Sequence, residues 1–517
     1  MKSSRRRLEV NVEELDRIID SAMRAPLSAA EGQTLKTAVH AMAARLMRQR
    51  STEKSSAVLA KAQGSQSTPG APADTGKSDP AGHGRNGAAA FTGANRVAIA
   101  HGTLESGDAC PDCREGRVYL QKEPATFIHI VGQAPLSATV FERERLRCNA
   151  CGQMFTAEEP GNVGPDKYDV TAVAMIALLK YGTGVPFNRM ERLEQQLGMP
   201  LPASTQWGLM EAAAKLLQLL LDEYIRLAAQ GEVLHNDDTG MRVLRMKREP
   251  DDKRTGIFTT GIVSIFGEWK IALYFTGPQH AGENLADVLK QRSPELAPPI
   301  QMCDALSRNT PKLTGVEILV AYCLAHGRRQ FVDVAESFPQ ECWYVLESLG
   351  AIYGFDAEAG EQGLTPQQRL AFHQTHSAPV MEELHQWMEV QVAEHKTEPN
   401  SGLGKAISYL LKHWTKLTLF LRQAGAPLDN NIAERALKKA ILNRNNGLFY
   451  KTLNGAHVGD LFMSLIHTCE LNGANPFDYL TELLRHSAEL ATRPADWLPW
   501  NYRARLAEIT RPKAKAA

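Results

Sequence analysis

Residues 232–239, Glu232-Val-Leu-His-Asn-Asp-Asp-Thr239, decide the fold, because the periodicity of the chain changes there. From 168 to 230 apolar residues recur at helical spacing, broken at Gly198-Met-Pro-Leu-Pro202; from Glu232 onward they alternate, as half-buried strands require. The alternation predicts strands over 233–237, 241–246, 257–266 and 269–275, with Gly267-Glu268 as a hairpin turn. A helix is expected over 282–291. A short apolar strand at 299–304 then ends in an acid, and 318–324 offers another strand.

Antiparallel strands, a crossover helix and further strands are the order of an α/β core of the RNase H-like kind. Residues 332–423 read as helical and interrupt that core, and 428–471 return to it. The expected domains are an N-terminal helical segment (1–50), a flexible linker (51–100), a zinc ribbon (101–160), a helical region (161–230), the catalytic core in two parts (231–331 and 427–475) around an all-helical insertion (332–426), and a C-terminal helix and tail (476–517). The linker follows from a run of Ser, Gly, Ala, Pro and Lys too poor in large apolar residues to offset the entropy of ordering. Within the helical region, 189–197, the turn 198–202 and 204–219 have the outline of a helix-turn-helix with Ser204 as N-cap, or of an ordinary helical pair.

Three acids stand where a metal-dependent nucleotidyl chemistry would need them. Phosphoryl transfer on DNA asks for two divalent ions held about 4 Å apart, and a few carboxylates with waters and phosphate oxygens suffice to hold Mg²⁺. Asp237 closes the first predicted strand and Asp304 closes Pro299-Ile-Gln-Met-Cys-Asp304, so both fall at one sheet edge. Glu434 lies in Pro427-Leu-Asp-Asn-Asn-Ile-Ala-Glu-Arg435, where Asn430 or Asn431 can cap a helix whose N-terminus favours DNA phosphates. Asp238 competes with Asp237, since a register slip of one exchanges strand faces.

At these residues the chain resembles transposases of the insertion sequence 66 family, members of the Asp-Asp-Glu group. The resemblance is carried by Asn236-Asp-Asp-Thr239, Gln301-Met-Cys-Asp304, Tyr322-Cys-Leu-Ala-His-Gly-Arg-Arg-Gln-Phe331, Leu428-Asp-Asn-Asn-Ile-Ala-Glu-Arg-Ala-Leu437, Asn443-Arg-Asn-Asn-Gly-Leu-Phe449, Ser464-Leu-Ile-His-Thr468, Leu471-Asn-Gly473 and Asp496-Trp-Leu-Pro-Trp-Asn501, in the order the family shows. It implies that Asp237, Asp304 and Glu434 hold two Mg²⁺ (or Mn²⁺) ions, cleave the ends of an insertion sequence and transfer the 3′-hydroxyls to target DNA. It also implies a homo-oligomer on double-stranded DNA, and admits small companion proteins of the same element as partners. Two departures stand out. The family usually has Asp-Glu-Thr at 237–239, and an aromatic-rich stretch where this chain has Ala305-Leu-Ser-Arg-Asn309.

Cys110-Pro-Asp-Cys113 and Cys148-Asn-Ala-Cys151 are paired C-x-x-C knuckles with strand-like stretches at 117–121, 127–131 and 140–147 between them. Four thiolates complete a tetrahedral Zn²⁺ and leave no open position, so the expected site is structural. Arg143, Arg145 and Arg147 adjoin it, as DNA-backbone contacts or as partners of Glu142 and Glu144. Arg328 and Arg329, and Arg435, Lys438, Lys439 and Arg444 around the third acid, are the other candidate DNA contacts. Cys323 and His326 form half of a metal motif without a convincing second pair, and are expected to serve helix packing.

The bulk numbers add little. At 517 residues several cores are expected, and 58 basic against 58 acidic residues give no net attraction to nucleic acid, so basic clusters must supply it. The start of the chain lacks a signal-peptide pattern, no apolar run approaches a membrane span, and the scattered single cysteines suit a reducing compartment, so a cytoplasmic, nucleoid-associated protein is expected. A hydrolytic nuclease of the same fold, or a non-catalytic zinc-dependent DNA-binding regulator, are the alternatives these readings leave.

Overall fold

The computed structural model describes residues 88–90, 96–246 and 254–510, apart from residue 255 and scattered positions between 114 and 165, Cys148 among them. The predicted N-terminal helical segment and nearly all of the predicted linker lie outside the described residues, as does the end of the tail. The chain falls into two compact units, one made of Gln66–Pro160 with Leu193–Pro200, the other of the rest.

The smaller unit carries Cys110, Cys113 and Cys151. Cys110 and Cys113 lie on a tight turn whose arms pair through Cys110 N–H to Gly116 O (2.8 Å), Val118 N–H to Asp108 O (2.9 Å) and Gly107 N–H to Val118 O (2.8 Å). Two short antiparallel strands follow, β1 (Arg145–Arg147) and β2 (Met154–Thr156), with Cys151 in the turn between them. Of the three strand-like stretches predicted here, only the end of 140–147 forms a strand among the described residues, and its partner is 154–156. The side chains of both strands are exposed.

The larger unit begins with α1 (Val170–Ala177), which runs on through one π turn, then α2 (Phe187–Gln196) and α3 (Ala203–Ala228). The predicted cap Ser204 lies inside α3; Pro202 holds the cap position, and the buried amide of Gln206 ties the helix start to the carbonyls of Phe187 (3.1 Å) and Leu201 (2.9 Å). Met210, Ala213, Ala214, Leu217, Leu220, Leu221, Tyr224 and Ala228 bury one face at three- and four-residue spacing, which makes α3 a core helix along its length.

A five-stranded mixed sheet follows, and three of the four strands expected from the alternation lie in it. β3 (Val233–Gly240) pairs antiparallel with β5 (Phe258–Phe266), which pairs antiparallel with β6 (Trp269–Gly277) around Gly267 at φ 58°. β4 (Val243–Arg245) leaves the sheet to pair with a later strand. After α4 (Ala281–Leu289), β7 (Ile300–Cys303) and β8 (Leu319–Tyr322) add in parallel on the other side of β3, giving the order β6-β5-β3-β7-β8. Helices α5 (Leu324–Val332), α6 (Pro339–Glu361), α7 (Pro366–Ala393) and α8 (Gly402–Leu417) bury a cluster of their own around Leu346, Leu349, Leu384 and Leu410, continuous with Met302 and Cys303 of the sheet. The chain then returns as α9 (Asn431–Gly447), β9 (Tyr450–Thr452, parallel to β4) and α10 (Leu453–Leu471). α9 approaches β5 so closely that a Cβ at Gly261 would stand 3.1 Å from Leu437. The C-terminal helices α11 (Pro476–Arg485), α12 (Ser487–Thr492) and α13 (Tyr502–Thr510) follow, with Trp497 fully buried and Trp500 stacked on Trp269. No described helix is long and apolar enough to cross a membrane.

The edge strand β6 is closed by a helix rather than by a strand. Along α10, Asp460, Ser464, Thr468 and the terminal Asn472 recur every four residues and accept the backbone N–H groups of Thr276 (2.7 Å), Tyr274 (3.0 Å), Ala272 (3.0 Å) and Lys270 (3.0 Å). Four residues of helix advance about 6 Å and two residues of strand about 6.7 Å, so the two periods stay in step over this length. Asn472 and Thr468 also donate to the carbonyls of Lys270 (2.7 Å) and Ala272 (3.3 Å). Removing one acceptor strands a buried N–H. Ser464→Ala and Thr468→Val are each expected to cost about 1–3 kcal/mol in urea unfolding, whereas Ser487→Ala, on a surface helix, should cost under about 0.5 kcal/mol. Equal small losses at all three positions would show that the stripe does not hold the strand.

Candidate active site

Each of the three predicted acids sits on a different element, and the sheet register brings the first two together. β3 and β7 pair Leu234 with Gln301 and His235 with Met302, so two residues further the parallel register sets Asp304 beside Asp237. The side chain of Asn309 joins them: its Nδ2 lies 2.5 Å from Asp304 Oδ1 and 3.4 Å from Asp237 Oδ1. Burial pushes the Asp237 carboxyl up to about 7, and the charges of Asp304, Asp238 and Glu434 push the same way against the N–H of Asp238 that it accepts.

Asp238 has a different job. Only 2% exposed, its carboxylate takes His280 Nδ1 at 2.8 Å and the N–H of Ala281 at 3.4 Å at the start of α4, with Arg308 at 3.7 Å. It is a clamp between β3, α4 and the loop after Asp304, and it is spent on neutralising partners. Asp237, by contrast, feels the charges of both Asp304 and Glu434. The loop after Asp304, where the sequence departs from the resembled family, supplies both Arg308 and Asn309. Gly282 lets α4 approach it: a Cβ there would lie 2.6 Å from the carbonyl of Thr310 and 2.7 Å from that of Arg308.

The third acid is delivered by a buried asparagine. Asn430, fully enclosed, donates through Nδ2 to the carbonyl of Asn236 (3.0 Å), and its Oδ1 accepts from His235 Nδ1 (3.2 Å). Burial pushes His235 down to about 4, so it is neutral and carries its proton on Nδ1. The Asn430 N–H reaches Cys323 Sγ (3.2 Å), and Leu324 N–H reaches the carbonyl of Leu428 (2.9 Å). Asn430 was expected to cap the helix as one of two candidates. It occupies the cap position without capping, because its amide is already committed to β3, and Asp429 accepts the Asn431 N–H instead (3.1 Å).

Glu434, half-buried in the first turn of α9, has one carboxylate oxygen, Oε1, that is enclosed and makes no hydrogen bond; it lies 3.7 Å from an equally unpartnered His326 Nδ1. Cys323, His326 and Glu434 are close enough to share an ion. Sequence reasoning missed this trio because its third member lies more than a hundred positions beyond a half-motif that looked incomplete. The thiol speaks for a packing role: burial pushes Cys323 up to about 12, and it accepts a backbone N–H.

The predicted DNA contacts divide. Arg435 and Lys438 are exposed on α9 in the turns after Glu434. Lys439 is paired with Glu470 (2.8 Å), and Arg444 is bound to Thr239 Oγ1 (3.0 Å) and the carbonyl of Gly240, so these two hold α9 to its surroundings. Arg328 and Arg329 are half-buried on α5. In the smaller unit Arg143, Arg145 and Arg147 are exposed, and the N–H groups of Gly116 and Glu115, with Cys110, hold the Cys113 thiol below the ordinary thiol range.

A family model described as "Transposase IS66 family" matches residues 167–458, more than half of the chain, and spans all three acids. The chain belongs to this family. Among proteins similar to this IS66-family chain are two uncharacterized proteins of Sinorhizobium fredii, y4jD and y4hP, each 27% identical. The first match covers 70% of this chain and 72% of that protein, the second 77% and 74%. The matched range therefore includes the whole sheet and the helical segment between β8 and α9, but not the stretch from Cys110 to Cys151.

The raised Asp237 carboxyl has a sign that can be tested. An acid lifted from 3.8 to about 7 on folding binds its proton more tightly in the folded chain, so its ionisation removes stability as pH rises from about 4 to about 7, and the loss is complete above that. In buffer free of Mg²⁺ and Mn²⁺, Asp237→Asn is expected to stabilise the protein by about 2–4 kcal/mol at pH 8 and by almost nothing near pH 4. A thermal shift of the same size at both pH values would rule out the crowded carboxylate as its cause.

Proposed function

We propose that this IS66-family protein is a DNA transposase whose RNase H-like core holds two Mg²⁺ or Mn²⁺ ions on Asp237, Asp304 and Glu434. The observation that carries the reading is the pairing of Asp237 with Asp304 through β3, β7 and Asn309, with Glu434 of α9 near enough for its charge to act on Asp237, whose carboxyl is held up to about 7 by burial and by the other charges. The strand order, with three antiparallel strands followed by two parallel ones, supports the RNase H-like assignment. The donor set fits hard divalent cations: carboxylate oxygens, a buried amide, and an enclosed Glu434 oxygen lacking any donor. Two such ions supply activation of the attacking oxygen and stabilisation of the leaving one.

The protein's own part is placement. Asp237 and Asp304 are fixed by adjacent strands, and Glu434 by the docking of Asn430 onto β3. Arg435 and Lys438 lie on the same helix as Glu434, whose N-terminal dipole adds to their attraction for phosphate. In the smaller unit, Cys110, Cys113, Cys148 and Cys151 would form a structural Zn²⁺ site that presents Arg143, Arg145 and Arg147 to the DNA backbone, consistent with the lowered Cys113 thiol. Water would cleave the strand at an element end, and the freed 3′-hydroxyl would attack target DNA, within a homo-oligomer assembled on the two ends.

With end oligonucleotides and supercoiled plasmid, the Mg²⁺-dependent cleavage and strand transfer of the parent protein are expected to fall by ~10³-fold in Asp237→Asn, Asp304→Asn and Glu434→Gln. Asp238→Asn, which removes a clamp rather than a ligand, should lower thermal stability more than turnover. Cleavage without transfer would mark a hydrolytic nuclease. Retention of both activities in all three variants would leave a DNA-binding regulator as the better reading.

A further inference from the structure

Asn309 belongs to no strand or long helix, yet it is among the most fully enclosed polar residues of the molecule. Its backbone carbonyl accepts Asn236 Nδ2 (2.8 Å) and Gln301 Nε2 (2.7 Å), and Gln301 Nε2 also donates to Asn236 Oδ1 (2.8 Å). Asn236 precedes Asp237, and Gln301 lies three residues before Asp304, so the two strands that carry the acids also lock this one residue between them. Its side chain then points at both carboxylates through Nδ2, while its Oδ1 is buried with no hydrogen-bond donor. A packing asparagine would be expected to satisfy that oxygen.

We propose that Asn309 is a further ligand of the cation held between Asp237 and Asp304, its side-chain carbonyl oxygen binding the metal. The inference rests on the reading of Asp237 and Asp304 as cation ligands. Half a turn about the Cβ–Cγ bond exchanges Nδ2 and Oδ1, and because Oδ1 has no donor, nothing is broken at the far end. The exchanged oxygen would stand where Nδ2 stands now, 2.5 and 3.4 Å from one oxygen of each carboxylate. Neighbouring ligands of an octahedral ion at about 2.1 Å are separated by about 3.0 Å, midway between those two values. Three oxygens so close repel one another unless a cation lies among them.

The test is Mn²⁺ binding by the full-length protein, read from the loss of the free-ion electron paramagnetic resonance signal, in the parent, Asn309→Ala, Asn309→Asp and Asp304→Asn. Asn309→Ala is expected to weaken the Asp304-dependent binding by ~10-fold. Asn309→Asp should bind at least as tightly as the parent; it should also melt lower than the parent without metal and recover on adding Mn²⁺, which separates a charge effect from misfolding. Parent-like binding in Asn309→Ala, or weaker binding in Asn309→Asp than in Asn309→Ala, would overturn the assignment and leave Asn309 as a spacer. Parent-like binding in Asp304→Asn would instead sink the underlying reading of the acids, and the inference with it.

Discussion

The buried amide of Asn430 is the contact on which the site depends. The acids on β3 and at the end of β7 come together through backbone pairing alone, but Glu434 arrives after a long helical excursion and has no strand to register it. Asn430 supplies that register by bonding a main-chain carbonyl and a neutral histidine of β3 at once, beside the N–H contact to Cys323. Each of these groups is enclosed, so each would be costly to leave without its partner. A helix cap would have been a weaker use of the same side chain, since caps tolerate water and this joint does not.

A site built this way is under strain of charge by construction. Burying carboxylates near one another disfavours their ionised forms, and the fold tolerates it by giving the neighbouring Asp238 a full set of cationic and N–H partners while leaving Asp237 with few. Two adjacent and identical residues thus play opposite parts, one stabilising the scaffold and the other loading the site at its expense.

The sheet was legible in the sequence because its strands are bounded by clear turns and carry long apolar runs; the Gly267 hairpin and the switch from helical to alternating spacing at Glu232 both appear where expected. The positions of the three acids on the elements, Asp237 and Asp304 near strand ends and Glu434 near a helix start, follow the sequence pattern. What could not be read was side-chain commitment. Nothing local distinguishes Asp237 from Asp238, because the difference is made by His280 and Arg308, distant in the chain. Nor does the sequence show that Asn430 bonds a strand, that Lys439 and Arg444 spend their charges inside the protein, or that His326 faces Glu434. Ser204 was misplaced as a cap for a related reason: the start of α3 is set by the burial of Gln206. In the cysteine unit only 145–147 of the strand-like stretches forms a strand among the described residues, and its side chains are exposed.

The stripe of Asp460, Ser464, Thr468 and Asn472 has a consequence for how copies of this chain can meet. A sheet with a bare rim can be lengthened by any extended segment that offers the complementary row of amides and carbonyls. Here the β6 rim is already read, residue by alternate residue, by side chains of the same molecule. A second copy of the chain therefore cannot grow the sheet on that side. Lengthening of the sheet by an outside strand is left to the opposite edge, β8.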